Sequence, residues 1–374
     1  MLELEFVPSI EAVGAAVFSE LEGPETYPFL RYAWLSALEG SGSASPERGW
    51  IPRHAVLRRG AQIVAVCPGY VKTNSFGEFV FDHAIADFAE SRLGLRYYPK
   101  WIAAVPFTPA SGPRVLFVRG SSPSERAEWL ERLAELLPSM LEDGRLSSLH
   151  LLFPGPSQLD GFVSSGWALR AGLQFQFHNS GLADFEGFLA GFRAKTRAMI
   201  RRERRELAQG PLRIEELTGA RLRELDPELV HRLYLTTVDK FVWGRRYLTR
   251  DFFARVLAEM PDNLQIIMAS EQGEPVAGAF NLLGTEALYG RYWGAFREVK
   301  YLHFEVCLYR GVESTIARGL SRFEPGAGGE HKEGRGFAPT LTWSLHHFAD
   351  ARLDGAVRDY FAREREALEM RSLG

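Results

Sequence analysis

Apolar residues recur along this chain in two alternating rhythms, one at helical spacing and one in short continuous runs. In 26–39, Tyr27, Leu30, Ala33, Trp34 and Leu38 fall on one helical face, and the Ser/Gly/Pro stretch 41–46 breaks it. Residues 54–57 and 63–67 read as strands about Arg59-Gly60-Ala61, a hairpin, with 79–81 as a third strand. A helix is predicted over 84–93, extended chain over 101–105 and 115–118, and an amphipathic helix over 124–142 ended by Asp143-Gly144. Extended segments at 149–153 and 168–178 close this block.

A second block follows the same plan. A long basic helix is predicted over 184–208 and a strand over 212–217. Helices follow at 227–240 and 249–260, the latter with Thr249 as N-cap and Asp251 in its first turn. Segments 264–270 and 275–283 flank Glu271-Gln272-Gly273-Glu274 as another hairpin, followed by a strand at 286–292. A helix over 302–319 stops at Gly319, a glycine-rich loop runs from 325 to 336, and a charged helix spans 350–370. Helices alternating with strands predict an α/β class (α+β in its segregation), and the hairpins make its sheets mixed rather than purely parallel. The repeated order suggests duplicated architecture, with domains 1–180 and 181–374.

Composition narrows the partners. A chain of 374 residues, 46% hydrophobic and 24% charged, can bury two cores. Its net charge of −3 gives no overall attraction to nucleic acid or acidic membrane, so local patches must carry any such contact. The two cysteines, Cys67 and Cys307, sit in apolar runs and read as buried thiols; with no Cys/His pair at zinc spacing, no metal is expected. No apolar run approaches the roughly 18 residues of a membrane span, and the acidic N-terminus lacks secretory features, so a cytoplasmic protein is expected.

Candidate chemistry concentrates in the second block. Between 325 and 336, five glycines surround Glu330, His331, Lys332, Glu333 and Arg335. Glycine lets backbone N–H groups approach a ligand, Arg335 can grip a carboxylate or phosphate, and His331 titrates near neutrality. The plain alternative is a surface loop of turn residues. On the preceding strand Tyr289, Arg291 and Trp293 share one face and Tyr292 takes the other, ahead of Gly294. The next helix opens with His303 and Glu305, and its unpaired N–H groups suit an anion or a developing oxyanion. Arg193, Arg197, Arg201 and Arg205 stack at four-residue spacing, a face for a CoA phosphate, a lipid headgroup or tRNA. In the first block, Tyr98, Lys100 and Thr108 suit one wall of a cleft, and His346-His347 reads as a helix-start feature.

These segments carry a resemblance. Ser75 to Asp82, Tyr97-Tyr98-Pro99-Lys100, Val105 to Pro109, Tyr289 to Gly294, Leu302 to Glu305 and Gly329 to Gly336 resemble, in this order and over nearly the whole chain, the Fem-like bacterial N-acyltransferases of the GNAT superfamily. Some members are labelled peptidoglycan biosynthesis proteins. The resemblance implies two tandem GNAT-like domains and transfer of an acyl or aminoacyl group to an amine, from acyl-CoA or, in Fem-type enzymes, from charged tRNA. Arg291 and Gly294 match the acyl-CoA pyrophosphate loop, but Phe296 stands where that loop has a second small residue. On this reading acyl-CoA is the expected donor. Glu305 or His331, with His303 nearby, takes the amine proton, and Tyr289 or Tyr292 protonates the leaving group. Lys332 and Arg335 then hold an anionic part, with Arg291, Trp293, Gly294 and Glu330 also lining the donor site. The acceptor is a small amine or a peptidoglycan precursor. A ligand-binding protein without turnover is the alternative from another class.

Overall fold

The computed structural model describes residues 1–240 and 245–372, leaving out the side chains of Glu330, Glu369, Arg371 and Ser372. The chain forms two compact units, Met1–Leu173 with Leu341–Gly374, and Gln174–Thr340. Both are mixed α/β, with sheets flanked by helices.

Unit 1 holds an antiparallel sheet in the order Leu2–Val7, His54–Arg59, Gln62–Cys67, Leu116–Phe117. A second set of strands runs Trp50–Pro52, Gly69–Lys72, Lys100–Ala103, Ser148–Leu152 and then 344–348. Among the described residues of this set, Lys100–Ala103 and Ser148–Leu152 pair in parallel and the other neighbours antiparallel. The helix Pro123–Leu136 starts on a reciprocal cap between Ser122 and Glu125, which satisfies two otherwise orphaned N–H groups. Its Trp129, Leu130 and Leu133 then pack against Trp101, Leu149 and Trp167.

Unit 2 is built on an antiparallel meander of Leu212–Thr218, Leu264–Glu271, Glu274–Leu283 and Ala287–Ala295. The short strand Arg322–Glu324 pairs in parallel with Ala287–Tyr289 and antiparallel with Phe177 and His178. Helices Ala194–Ala208, Pro227–Val238, Arg250–Glu259 and the helical run 302–317 surround this sheet. Thr249 caps as expected, its hydroxyl accepting from Phe252 N at 3.2 Å.

Several sequence expectations need correction. The C-terminal helix, Ala351–Ser372, packs in unit 1 rather than with the second half, and the chain passes to unit 2 after Leu173, not at 181. The cause is the strand Ala338–Phe348, unassigned from sequence, which delivers Phe348 to a cluster with Leu353, Val357 and Phe361. Residues 79–81 are not a strand, because Glu78 and Asp82 both turn inward to Lys100 and Phe79 takes φ 60°. The basic helix is two helices, Phe185–Ala190 and Ala194–Ala208.

His346 is a strand residue directly opposite His150. Their Nδ1 atoms lie 2.6 Å apart, and their Nε2 atoms lie 2.8 Å from the Ser344 and Ser148 hydroxyls. One shared proton serves the two facing nitrogens, and burial holds both pKa values well below the ordinary 6.5. The unfolded chain therefore binds more protons than the folded one below that pH, so stability is present above it and is lost as pH falls. We expect urea-unfolding free energy to drop from about pH 7 to about pH 5, by up to roughly 1.4 kcal/mol per pH unit per imidazole. The slope should flatten in a His150→Gln/His346→Gln variant. An identical slope in that variant would show that other groups carry the dependence.

Candidate active site

In unit 2 two neighbouring strands part. Ala287–Ala295 pairs with Arg322–Glu324 only as far as Tyr289 and Glu324. At the parting point the backbones nearly touch, since a Cβ on Gly290 would lie 3.1 Å from Pro325 Cα. The glycine-rich segment and the start of the run 302–317 occupy the region beyond it.

That run contains a π-turn at Glu305–Tyr309. The wider turn puts Glu305 and Tyr309 on the side facing the basic helix. Arg204 grips Glu305 with two hydrogen bonds, 2.9 and 3.0 Å, and reaches Glu313 at 2.7 Å. Arg310 lies 2.9 Å from the same Glu305 carboxylate. Glu203 accepts from the Tyr309 hydroxyl at 2.6 Å and from Arg335 at 3.0 Å, and Arg335 also donates to Tyr309 at 3.0 Å. The Arg335 guanidinium lies 3.6 Å from the centroid of the Phe304 ring. Arg335, in the glycine-rich loop, is thereby tied to both helices.

The loop itself holds a short 3₁₀ helix over 330–335, flanked by Gly329 at φ 89° and Gly336 at φ 85°. A side chain at Gly336 would drive into the Phe192 ring, at 2.6 Å. His331 emerges exposed, 6.0 Å from the His303 ring and 5.9 Å from Phe304. His303 also packs edge-on to Trp293 at 5.3 Å. Burial, then the charges of His331, Lys332 and Arg335, lower the His303 pKa to about 4, so it is neutral at pH 7. Burial lowers His331 as well, ahead of Lys332 and Arg335.

Lys332 is 5% exposed, and its ammonium donates to the carbonyls of Gly326 (2.8 Å) and Ala327 (3.5 Å). Among the described residues no carboxylate pairs with it. Burial lowers its pKa to about 8, so at neutral pH it remains a largely charged cation.

The expected residues thus divide. His303, His331, Lys332, Arg335 and Trp293 come together. Glu305 lies apart from them, buried and paired with Arg204 and Arg310. Tyr289 is buried, and its hydroxyl accepts from Arg322 at 3.1 Å. Arg291 lies 5.3 Å over the ring of Tyr292, which packs on Tyr234 and Phe280. Gly294 admits Leu233, whose carbonyl oxygen would be 1.9 Å from a Cβ there. The Glu330 side chain lies outside the described residues. Arg193, Arg201 and Arg205 are exposed and Arg197 half-buried; Arg201 pairs with Glu186. In unit 1, Lys100 is buried against Glu78 (2.7 Å) and Asp82, and Tyr98 bonds Ser75 at 2.6 Å. Thr108 there bonds the Pro106 carbonyl.

Glu203, Arg204 and Tyr309 were missed as site residues. The signal was present: Ile200, Glu203, Arg204 and Leu207 form the inward i, i+3, i+4, i+7 stripe of the helix. Also missed were Thr236 and Thr237. Phe296 N donates to Val276 O, so Trp293 and Ala295 turn their backbone groups away from the neighbouring strand. Thr237 donates to Trp293 O at 2.5 Å, and Ala295 N donates to Thr236 at 3.0 Å.

A family described as FemAB-like, peptidoglycan biosynthesis/recognition, matches residues 9–372. FemX has a similar fold, with a TM-score of 0.52 at 11% identity, covering 95% of this chain and 100% of that one. L-PGS from Bacillus licheniformis is similar at TM-score 0.48 and 10% identity, covering 88% of this chain and 95% of its own. A tandem GNAT protein from the clavulanic acid biosynthesis pathway gives 0.38 at 14%, covering 93% and 99%. No curated protein matches the chain.

Removing Arg204 strands Glu305 with Arg310 alone. Arg204→Ala should cost about 2–4 kcal/mol in denaturant unfolding, against under about 0.5 kcal/mol for the exposed Arg202→Ala. Equal, small losses in both variants would show that the buried pair does not hold this unit together.

Proposed function

Because the chain belongs to the FemAB-like family, and is thus a Fem-like transferase of the GNAT type, we propose that unit 2 transfers an aminoacyl group from the ester of a charged tRNA to an amine of a peptidoglycan precursor. The observation that carries this reading is Lys332, a buried ammonium with an N–H to spare and no acid partner among the described residues. An anionic or carbonyl oxygen supplied by a ligand is the natural complement.

In the proposed step the amine nitrogen attacks the ester carbonyl and the C–N bond forms. The ester C–O bond breaks, and the ribose hydroxyl leaves with a proton. Lys332 holds the developing oxyanion or the neighbouring phosphate. His331, exposed and neutral at pH 7, takes the proton that the amine loses. Arg335 acts at one remove by fixing the loop through Glu203 and Tyr309. Arg193, Arg197, Arg201 and Arg205 supply a face for the RNA backbone.

Acyl-CoA is the rival donor. A donor rich in amides, laid along the outward edge of Ala287–Ala295, would need the backbone groups that Thr236 and Thr237 already hold. That occupancy favours the ester donor.

The test combines the full chain, a charged-tRNA pool and a UDP-linked muramyl pentapeptide, with products read by mass spectrometry. We expect a gain of one aminoacyl residue that ribonuclease abolishes and salt suppresses steeply. Lys332→Met should slow it about a hundredfold. Because the charged ammonium is the working form, the rate should fall as pH rises through about 8. Ribonuclease-insensitive transfer from acetyl-CoA would overturn the tRNA reading in favour of its rival.

A further inference from the structure

Unit 1 carries a groove of about 780 Å³, within the range of ligand sites. One wall is the outer edge of the strand Leu116–Phe117, the last in its sheet. Val118 N donates to Val64 O, so by antiparallel alternation Val115 and Phe117 turn their backbone groups outward. The Gln158 side chain has taken the first of these positions. Its amide oxygen accepts from Val115 N at 3.2 Å and from Arg114 N at 2.6 Å, and its nitrogen donates to Val115 O at 2.9 Å. Gln158 thus behaves as one peptide unit of a missing strand. Beyond it Phe117 turns its N–H and C=O toward the groove, and at Arg119 the outward N–H is donated to the Glu20 carbonyl at 3.0 Å, so the open stretch of the edge is Phe117 itself.

Charge is sorted along this edge. Arg119 and Arg126 line one end, and Arg119 has no side-chain partner among the described residues. Glu131 and Asp160 line the other, held together because Gly161 packs against Glu131 N. Glu25 adds a third carboxylate to the lining. Five helical residues separate Arg126 from Glu131, about 7.5 Å, and four strand residues separate Val115 from Arg119, about 13 Å. At about 3.3 Å per extended residue, these distances correspond to about two and about four residues, and a tripeptide lies between them. Leu116 and Leu130 give the floor an apolar surface.

We propose that this groove binds a short zwitterionic peptide in extended form. It continues the strand edge at Phe117, with its carboxylate at Arg119 and Arg126 and its ammonium at Glu131 and Asp160. The proposal stands apart from the transfer reaction assigned to unit 2 and needs no donor to be tested.

The probe is the tripeptide Ala-Leu-Ala, titrated calorimetrically into the full chain beside its C-terminal amide and its N-acetyl derivative. Saturable binding of the free peptide is expected, with each blocked form at least about tenfold weaker. Arg119→Ala should weaken the free peptide about tenfold and leave the amide unaffected. Ala127 lies exposed on the groove wall, so Ala127→Trp should fill the space and abolish binding while leaving the circular dichroism melting curve in place. Failure of the free peptide to saturate at millimolar concentration overturns the proposal. So does equal binding of the three peptides, or unaltered binding by a folded Ala127→Trp variant.

Discussion

Unit 2 depends on placing two charges where a helix would ordinarily place leucines. Glu203 and Arg204 occupy the inward stripe of Ala194–Ala208 between Ile200 and Leu207. Taking each ion out of water costs several kcal/mol, and only close, multiply bonded partners offset that. Both charges have such partners: Glu305 and Glu313 for Arg204, and Tyr309 and Arg335 for Glu203. Turning the helix by one residue would strand both charges at once, so the pairs fix its register more strictly than apolar contacts of the same area could. The Arg204 guanidinium also lies 4.4 Å over the Phe185 ring, which carries the constraint back to the preceding helix.

The glycine-rich loop inherits its position from these pairs. Without Arg335 its flanking glycines would leave the backbone many conformations, each allowed at small cost. With Arg335 bound to Glu203 and lying on Phe304, the loop has one arrangement, and Lys332 is carried inside with carbonyls for company. The π-turn belongs to the same arrangement, since it turns Glu305 and Tyr309 toward the basic helix. Lys332, with no paired carboxylate among the described residues, thus lies beside Arg335, whose charge is met by Glu203.

Much of this was legible in the sequence. Hairpins, caps and amphipathic helices are local, and Thr249, the Glu271–Glu274 turn and the glycine-rich loop appear where their residues predict. Partner choice was not legible, because it is set across long separations. Glu305 reads as a base from its place at a helix start, yet Arg204, a hundred and one residues earlier, claims it. Likewise 79–81 has strand composition, but Lys100 draws in the acids on either side. The strand Ala338–Phe348 escaped because its pairing with Ser148–Leu152 is fixed by residues nearly two hundred positions away. The domain boundary was misplaced for the same reason.

Sheet edges show the same economy within each unit. A strand that loses its neighbour exposes N–H and C=O groups, which invite pairing with another chain. In unit 2 the outward carbonyl of Trp293 and N–H of Ala295 are taken by two threonine hydroxyls, and helix Pro227–Val238 lies close enough to require glycine at 294. In unit 1 the outward groups of Val115 are taken by one glutamine amide. A hydroxyl closes one bond and ends the ladder, whereas a primary amide donates and accepts in the geometry of a peptide and leaves the ladder extendable. The edge at Trp293–Ala295 is therefore covered by that helix, while the edge before Phe117 carries a group that mimics the strand it lacks.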